Sequence, residues 1–547
     1  MTVDPTLARL GDDYFQAYYA ANPFAATASG ISGYDADVPD PSRAAADRLR
    51  ARLAGLTAEV EQLDPAGLGA ADRVSHAMLG SLLGYAHDTL IHGLDEVAVT
   101  ASMMGPLASV VSTVPVAPVG DDTAVQAYLD RLGRLGGYFD ALGQRHLDAK
   151  ADGRYPTATG TRQSVAQLDG YLATPVDRDP LLHPDAGAWR PRAAELLASV
   201  VRPAIARYRA TLADELLPVG RPDEHVGICH VPDGDVGYLA EVRAHTTTDL
   251  TPYEIHEIGL DLVARLRDEF AERGARTLGT ADVAEVLRRL RDDPALRFGS
   301  AAEIVDTVTG ALRRAEEALP DQFRTYDIAP CVVREMDAAE AENSVLGYYL
   351  PAAADGSRPG AHVVNTYRPE LRPRFEYEPL AFHESVPGHH LQFALAQAQV
   401  DLPPFRRFAY LTAHSEGWAL YTERLCDEMG LYSDDLSRLG MVSFDAWRAC
   451  RLVVDTGMHH LGWSRDRAIA YLLDNTALSE INITNEVDRY IAAPGQALAY
   501  MIGRLRIRAL RDQAQAAQGP AFDIRSFHHT MLAHGSLPLD TLAELVG

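Results

Sequence analysis

The sequence predicts a mainly α-helical protein with one small β-sheet. Apolar residues recur at three- and four-residue spacing along most of the 547 residues, which is the spacing of one helix face. Several of these stretches begin with a residue that caps a helix N-terminus. One region, residues 328–366, instead contains short runs rich in Val, Tyr and Ile, which are typical of β-strands.

The helices are predicted in order from this spacing. Residues 4–21 carry an apolar stripe that includes Leu7, Leu10 and Tyr14. The same pattern predicts helices over residues 42–63, 71–93, 122–149, 189–216, 252–273, 281–293 and 300–318. Ser42 can cap the second helix, and Thr251 begins a capping box that ends at Glu254.

Residues 328–335, 345–350 and 361–366 predict a small sheet directly before the segment that carries the main motif. An edge strand of this sheet could hold an extended substrate backbone. The alternative prediction is a structural hairpin that caps the helical bundle and has no role in binding. The best candidate boundary lies at residues 217–222, between an N-terminal helical half (1–220) and a catalytic half (221–547) that together form one integrated unit.

Composition excludes several classes of function. The net charge of −26 argues against nucleic acid and anionic membranes, which attract basic proteins. The four cysteines are scattered, and the first 15 residues carry three Asp and no apolar run, so we expect a cytoplasmic protein without a signal peptide. Residues 97–120 form the longest uncharged stretch but contain three Pro and two Gly, which favours a buried loop or cleft wall over a membrane helix.

The most informative segment is A-F-H-E-S-V-P-G-H-H-L-Q, residues 381–392. In zinc peptidases an H-E-x-x-H motif places two histidines one helical turn apart, so that both reach one metal. Here the candidate partners of His383 are His389 and His390. On a straight helix His389 faces another direction and His390 lies about 10 Å along the axis, so neither can share a metal with His383.

Pro387 and Gly388 can break the helix and bring one of these histidines back. Two arrangements are open: a local bulge within one helix, or a first helix that ends near Val386 and a second that begins at Pro387. The two histidines can converge in either case.

Glu416 is the best candidate for a third ligand. It lies early in a helix that we expect to begin near His414, with Ser415 as a possible cap. Glu423, two turns further, is expected at the surface. Two histidines and one carboxylate form an open, catalytic type of site, so we expect one zinc ion per chain. Glu384 adjoins His383 and can act as the general base that activates water.

The motifs resemble those of a bacterial family catalogued as domain-of-unknown-function family 885. Its members carry H-E-x-x-P-G-H, and further similar blocks occur at residues 451–459, 486–491 and 494–500, with weaker likeness at residues 347–349 and 364–366. The resemblance implies a large helical fold like that of the carboxypeptidase Taq type of glutamate zinc peptidases (gluzincins), with a deep cleft. It also implies that His389, rather than His390, is the ligand.

Polar residues of the downstream blocks are candidates for contacts with substrate. Tyr490 can stabilise an oxyanion, and Arg489 can bind a substrate carboxylate, although Arg489 could equally pair with Glu486. Arg451, Asp455 and His459 form one polar helical stripe, which predicts either a cleft-facing surface or a structural network. The resemblance adds Asn365 to the candidate substrate-binding residues, together with Arg451 and His459.

We therefore expect a zinc-dependent metallopeptidase, a carboxypeptidase or small-peptide hydrolase, in which Glu384 and Tyr490 are catalytic. Two alternatives are a metal-dependent amidohydrolase of a non-peptide or modified amino-acid amide, and a non-catalytic binding protein that keeps the fold. The expected partner is a peptide or small amide substrate, with no nucleic acid and no membrane. A homodimer is left open.

Overall fold

In the computed structural model, helices dominate and one small sheet precedes the motif segment. The structure describes residues 4–324, 326–337, 341–342, 345–354, 356 and 358–546. The helices before the sheet are α1 (Pro5–Ala21), α2 (Pro23–Ala28), α3 (Arg43–Glu61), α4 (Ala70–His92), α5 (Pro106–Thr113), α6 (Asp122–Ala151), α7 (Ala158–Ala173), α8 (Arg190–Leu196), α9 (Arg202–Ala210), α10 (Gly234–Thr246), α11 (Pro252–Thr277), α12 (Val283–Asp292) and α13 (Ala301–Gln322).

The helices after the sheet carry the motif residues. They are α14 (Tyr377–Glu384), α15 (His389–Ala398), α16 (Pro404–Arg407), α17 (Thr412–Glu428), α18 (Asp435–His459), α19 (Arg465–Asn475), α20 (Glu480–Ala492), α21 (Ala499–Gln518), α22 (Ile524–Leu532) and α23 (Leu539–Val546). Helices α8 and α9 are joined and extended by π-helical turns over residues 197–201 and 211–216, so residues 190–216 are helical throughout.

The sheet contains β1 (Val332–Glu335), β2 (Gly347–Leu350) and β3 (Ala361–Val364), in the order β1-β3-β2. Strand β3 pairs in parallel with β1 and antiparallel with β2, and all four of its residues are buried. The predicted small sheet before the motif is thus confirmed. Strand β2 lies at an edge of the sheet. It contacts the end of α14, where the Tyr349 amide donates to Glu384 Oε2 at 2.9 Å.

All eight predicted helical stretches are helical, and two predicted caps are present. The Ser42 side chain accepts from the Ala45 amide, and the capping box of Thr251 and Glu254 forms in full. Helix α5 lies inside the stretch 97–120, for which a buried loop or cleft wall was expected, and α7 and α10 were not predicted either. Helices α7 and α10 each contain two glycines, which lower intrinsic helix propensity, so tertiary packing rather than local preference determines them.

The buried apolar residues form three large clusters. One lies within residues 24–216, between α5, α6, α7 and the helical stretch 190–216. The second unites α1, α3 and α4 with α17, α21, α22 and α23, and the third runs from residue 94 to residue 502. The proposed boundary near residue 220 stays a prediction, since two clusters draw on residues from both sides of it.

Helices α17 and α21 cross with their backbones in contact. A Cβ atom on Gly417 would lie 2.5 Å from Gly503 Cα, and one on Gly503 would lie 1.9 Å from the Ala413 carbonyl oxygen. No side chain fits at either position without moving a backbone. This crossing therefore fixes where Gly417 lies along α21. It also fixes where the side chain of the adjacent Glu416 enters the protein interior. Among the described residues, none of the helices is long and apolar enough to cross a membrane.

Helix α18 is buried along most of its length and holds an ionisable network at Asp455. This carboxylate is fully buried and accepts from the Tyr238 hydroxyl at 2.6 Å and from the Gly495 amide at 3.1 Å. Burial outweighs these hydrogen bonds and raises the pKa of Asp455 to about 7.

Asp455 should make the protein less stable as pH rises from about 4 to about 7. An aspartate in an unfolded chain has a pKa of about 3.9, so the folded state binds this proton more tightly and loses stability between the two values. The free energy of unfolding falls by at most ~4 kcal/mol over that interval because of Asp455. We expect the melting temperature of Asp455→Asn to fall less across this pH range than that of the unmodified protein. If the two proteins showed the same dependence of melting temperature on pH, Asp455 would not be its cause.

Candidate metal centre

The interrupted motif is built from two helices and a sharp corner. Helix α14 ends at Glu384, and α15 begins at His389, so the second of the two predicted arrangements is the observed one, with slightly different boundaries. The Val386–Pro387 peptide bond is cis. Gly388 passes so close to the preceding turn that a Cβ atom there would lie 2.0 Å from the His383 carbonyl oxygen. Glycine is therefore required for the chain to return at this point.

The corner brings His383 and His389 together with Glu416. The Nε2 atoms of both histidines lie 3.4 Å from Glu416 Oε2, and one donor atom from each of the three residues falls within 4.8 Å of the others. In a tetrahedral zinc site with bonds of about 2 Å, neighbouring ligand atoms are about 3.3 Å apart. The donor set and its spacing thus fit a zinc ion, and all three side chains are buried.

His390 is held in another environment. Its Nδ1 lies 3.1 Å from the Tyr349 hydroxyl, and its Nε2 lies 2.9 Å from the Ala329 carbonyl oxygen. Both ring nitrogens are occupied by protein partners, so the structure brings His389 to the cluster and leaves His390 outside it. The position of α17 also differs from prediction: the helix begins at Thr412, and Ser415 is a buried interior residue rather than a cap.

Glu423 is fully buried behind His383, and the expectation of a surface position is wrong. Its Oε1 lies 2.8 Å from His383 Nδ1. A carboxylate at this distance keeps the proton on Nδ1 and turns the lone pair of Nε2 toward Glu416, which is the arrangement found behind many metal-bound histidines. Glu423 lies seven residues, or two helical turns, after Glu416, so both point to the same side of α17.

Replacing Glu423 with Gln should weaken zinc binding without removing it. The amide cannot hold the His383 tautomer as the carboxylate does, and loss of such a partner lowers metal affinity about 10- to 100-fold. Competition with a chromogenic chelator measures this change. Glu428→Gln, at the partly exposed end of the same helix, is the matched control and should bind zinc like the unmodified protein. Equal affinities for both variants would contradict the role of Glu423.

The charges of the cluster are coupled. Burial opposes ionisation of Glu416, but the adjoining His389 and His383 outweigh it and hold the pKa of Glu416 well below its usual range. Burial lowers the pKa of His383, whereas hydrogen bonding to Glu416 and Glu423 raises it, with a net value of about 9. The His383 ring thus lies between the carboxyl groups of Glu416 and Glu423, which is an environment that favours a cation.

Glu384 lies beside the cluster without joining it. Burial raises the pKa of this carboxyl group, partly opposed by His383 and His389. The Tyr349 amide at the edge of the sheet holds its Oε2. Tyr410 contacts the cluster from the other side, where its hydroxyl donates to Glu416 Oε1 at 2.5 Å. The Glu384 carboxyl group and the Tyr410 hydroxyl therefore flank the position that the three donors surround.

The cluster opens into a cavity of about 630 Å³. Its lining includes the Glu384 and Glu416 carboxylates, the edge strand β2 and many aromatic rings, namely Tyr348, Tyr349, Phe393, Phe408, Tyr410, Phe444, Trp447 and Tyr500. Met103 and Met104 also line it, so the uncharged stretch 97–120 forms part of a cleft wall as predicted. A cavity of this size with a few polar groups is typical of a small-molecule or short-peptide site.

Two of the predicted substrate-binding residues line this cavity. Arg451 donates through Nε to the Tyr490 hydroxyl and through Nη2 to Glu486. Arg489 donates to Glu486 through Nε and Nη2 and to Gln496 through Nη1, so the alternative pairing with Glu486 is the observed one. Contacts of either residue with substrate stay a prediction.

The other candidates lie behind the cavity wall. The Tyr490 hydroxyl donates to Glu486 and accepts from Arg451 and Trp447, which leaves it no capacity for an oxyanion. His459 accepts from the Ile228 amide at Nδ1, so its Nε2 donates to the Tyr490 carbonyl oxygen. Their positions therefore support structural roles rather than the predicted contacts, and Asp455 belongs to the same interior network.

Asn365 is also interior. Its amide nitrogen donates to the carbonyl oxygens of Ala341 and Val345, and its Oδ1 accepts from the Tyr367 amide. It is fully buried at the end of β3 and does not line the cavity. Its geometry ties the strands together beneath the site, and it gives no support to a contact with substrate.

Solved structures of similar proteins share this fold. A candidate lipoprotein from Colwellia psychrerythraea is 27% identical over 99% of each chain, with a TM-score of 0.92. A candidate lipoprotein of unknown function from Shewanella oneidensis is 18% identical over 98% of this chain and 99% of its own, with a TM-score of 0.75. No curated protein matches the chain.

These structures correct the predicted location. Both proteins are described as candidate lipoproteins, which are membrane-anchored or secreted, and the description of the Colwellia protein contradicts the prediction of a cytoplasmic protein, which is wrong. That prediction depended on the scattered cysteines and on first residues without an apolar run. All four cysteines are unpaired, and free cysteines do not by themselves report a compartment.

A family model covers nearly the whole chain and includes every residue of the metal centre. It matches residues 23–546, from α2 to the last helix. The likeness of the separate motif blocks is thus part of one continuous match. The chain belongs to the family described as bacterial protein of unknown function (DUF885).

Proposed function

We propose that the protein is a zinc-dependent hydrolase of peptide bonds in short substrates. One observation carries the proposal: two histidine nitrogens and a carboxylate oxygen converge at zinc-ligand spacing, with the Glu384 carboxyl group beside them in a cavity. Two histidines and one carboxylate form the ligand set of catalytic zinc sites that keep an open position. A structural zinc site would close that position with a fourth side chain.

His383, His389 and Glu416 would hold the metal. When bound, zinc supplies a Lewis acid that polarises a carbonyl group and lowers the pKa of water. Two further residues of the chain position these ligands. Glu423 keeps the His383 ring in position, and Tyr410 restrains Glu416 through a hydrogen bond to its second oxygen.

Glu384 is the proposed general base. Its carboxyl group accepts a proton from the attacking water and gives it to the leaving amine, so that one C–O bond forms as the C–N bond breaks. The raised pKa of Glu384 favours this exchange. Strand β2 lines the cavity and pairs only with β3 among the described strands, so its other edge can align an extended peptide.

The proposal extends to fold and location. A sheet edge, a histidine-bearing helix and a carboxylate from a later helix support a relation to the gluzincin carboxypeptidases of the Taq type. The cavity of about 630 Å³ favours short peptides over folded proteins. We infer that the protein acts in a membrane-anchored or secreted form, as the description of the Colwellia structure suggests.

The test combines metal analysis with a substrate panel. Protein loaded with zinc is incubated with di- to pentapeptides and with N-acylated amino acids, and free amines are measured. Hydrolysis of peptides that stops with chelator and returns with zinc supports the proposal. Cleavage of acylated amino acids alone would favour the amidohydrolase alternative. Absence of bound zinc, with no turnover after its addition, would overturn the proposed function.

A further inference from the structure

The cavity wall formed by α18 carries guanidinium nitrogens that have no hydrogen-bond partner. Arg448 and Arg451 lie on α18, line the cavity and are only 4% and 3% exposed. Among the described residues, Nε and Nη1 of Arg448 and Nη1 of Arg451 are buried and have no hydrogen-bond acceptor. A buried donor without an acceptor is costly, and for a charged group the cost is higher still.

Neighbouring carboxylates do not satisfy these donors. On the wall formed by α18 and α20, Glu486 is already bound by Arg451, Arg489 and Tyr490. In the described part of the chain no carboxylate oxygen comes within 4.0 Å of Arg448. This wall therefore holds three guanidinium groups against one carboxylate.

The carboxyl groups that face Arg448 from other helices are also engaged. Glu423 is bound to His383, and Glu416 is bound to Tyr410 and faces the two histidines. Glu376 is fully buried, and burial raises its pKa to about 7. Glu423 Oε2 has no hydrogen-bond partner, but among the described residues neither it nor any other carboxylate oxygen forms an ion pair with Arg448 within 4.0 Å.

Arg448 and Arg451 share one aromatic ring. The Cζ atom of each lies 4.3 Å from the centre of the Trp447 ring, so the two guanidinium groups are at most about 9 Å apart. Phe444 supports Arg448 from a further side, at 4.4 Å. Stacking fixes both guanidinium planes, and only Arg451 is paired with a carboxylate, that of Glu486, so Arg448 and the free nitrogen of Arg451 form a preorganised site for an anion.

We propose that Arg448 and Arg451 bind the terminal carboxylate of the substrate, so that the enzyme removes a single C-terminal residue from short peptides. This inference rests on the proposed function. Guanidinium donors match the acceptor geometry of a carboxylate, and the aromatic rings beside them favour an apolar terminal side chain. Hydrolysis of the last peptide bond adds hydroxyl to the carbonyl carbon and hydrogen to the amine, releasing one amino acid.

The experiment compares two substrates that differ only in the terminal group. Full-length, zinc-loaded protein is assayed with acetyl-Ala-Phe and with its C-terminal amide. We expect kcat/KM to be about 10- to 100-fold higher for the free acid, since a charged hydrogen bond is lost in the amide. Arg448→Gln should abolish this preference by slowing cleavage of the acid toward the rate of the amide. Arg448→Lys should retain part of the preference.

Arg438→Gln is the matched control. Arg438 lies on the same helix, pairs with Asp427 and does not line the cavity, so its loss should leave the preference unchanged. Melting temperatures show whether each variant folds. Removal of the unpartnered charge of Arg448 should not lower the melting temperature, whereas a purely structural arginine would.

Failure of this inference is distinct from failure of the proposed function. Equal rates for acid and amide, or a preference that survives Arg448→Gln, would overturn the carboxylate site and leave peptide hydrolysis standing. If neither substrate is cleaved, calorimetry with 3-phenylpropionate and 3-phenylpropanamide provides a readout without turnover. Binding of the acid alone, lost in Arg448→Gln, supports the site, and equal binding to both proteins overturns it.

Discussion

Glu384→Gln should retain zinc and lower kcat by about 10²- to 10⁴-fold, the range attributed to a general base. Glutamine has nearly the same shape, and its side-chain oxygen can still accept from the Tyr349 amide that holds Glu384 Oε2 at 2.9 Å. Only the capacity to take up a proton is lost. Because Glu384 is not among the three convergent donors, the metal should remain.

The measurement pairs zinc content with peptide turnover on the same preparation. Glu428→Gln, on the partly exposed end of α17, provides a carboxylate-to-amide control outside the cavity and should keep full activity. If Glu384→Gln held zinc and still hydrolysed peptide at the original rate, another group would be the base. Loss of zinc together with activity would instead place Glu384 among the ligands.

Glu416→Ala should lose zinc binding, and with it all zinc-dependent activity. Glu416 Oε2 is the atom that both histidine Nε2 atoms face at 3.4 Å, so its removal breaks the donor set at its centre. If the binding free energy of a four-ligand site is shared evenly, one ligand accounts for ~3 kcal/mol, or roughly a 10²-fold loss of affinity. We expect about one zinc per chain in the unmodified protein and none in the variant after dialysis against a weak chelator.

Glu416→Gln is the control for a folding defect, because glutamine keeps the side-chain volume where α17 and α21 cross closely. It should fold as well as the unmodified protein and bind zinc less tightly. His390→Ala serves as the contrasting histidine variant, since His390 contacts Tyr349 and Ala329 outside the cluster. Undiminished zinc in Glu416→Gln and Glu416→Ala would show that the metal, if bound, lies elsewhere.

Much of the local structure follows from the sequence because short-range rules determine it. Capping at Ser42 and Thr251 and the apolar spacing of the long helices are readable within one or two turns. The same holds for the break at Pro387 and Gly388, where helix geometry alone shows that His383 and His389 cannot bind one metal ion from a straight helix. Helices α7 and α10 escaped prediction because packing stabilises them despite glycines.

The surroundings of the metal centre were only partly predictable. Glu423 could have been found, since its seven-residue distance from Glu416 places both on one face of α17. Arg448 likewise lies three residues before Arg451 on the same helix. Tyr349 and Tyr410 carry no such local signal. They reach the site from a strand edge and from the segment before α17, and only the folded chain shows this.

The sequence by itself predicted the candidate ligand types, the candidate base beside them and the need for a break between His383 and His389. These features depend on residue chemistry and on the fixed geometry of a helix. Tertiary structure decided which polar residues face the cavity: Arg451 does, whereas Tyr490, His459 and Asn365 lie behind it. The reason is physical. A polar side chain is satisfied equally well by a buried partner or by a substrate, and only the packing of distant helices determines which of the two it meets.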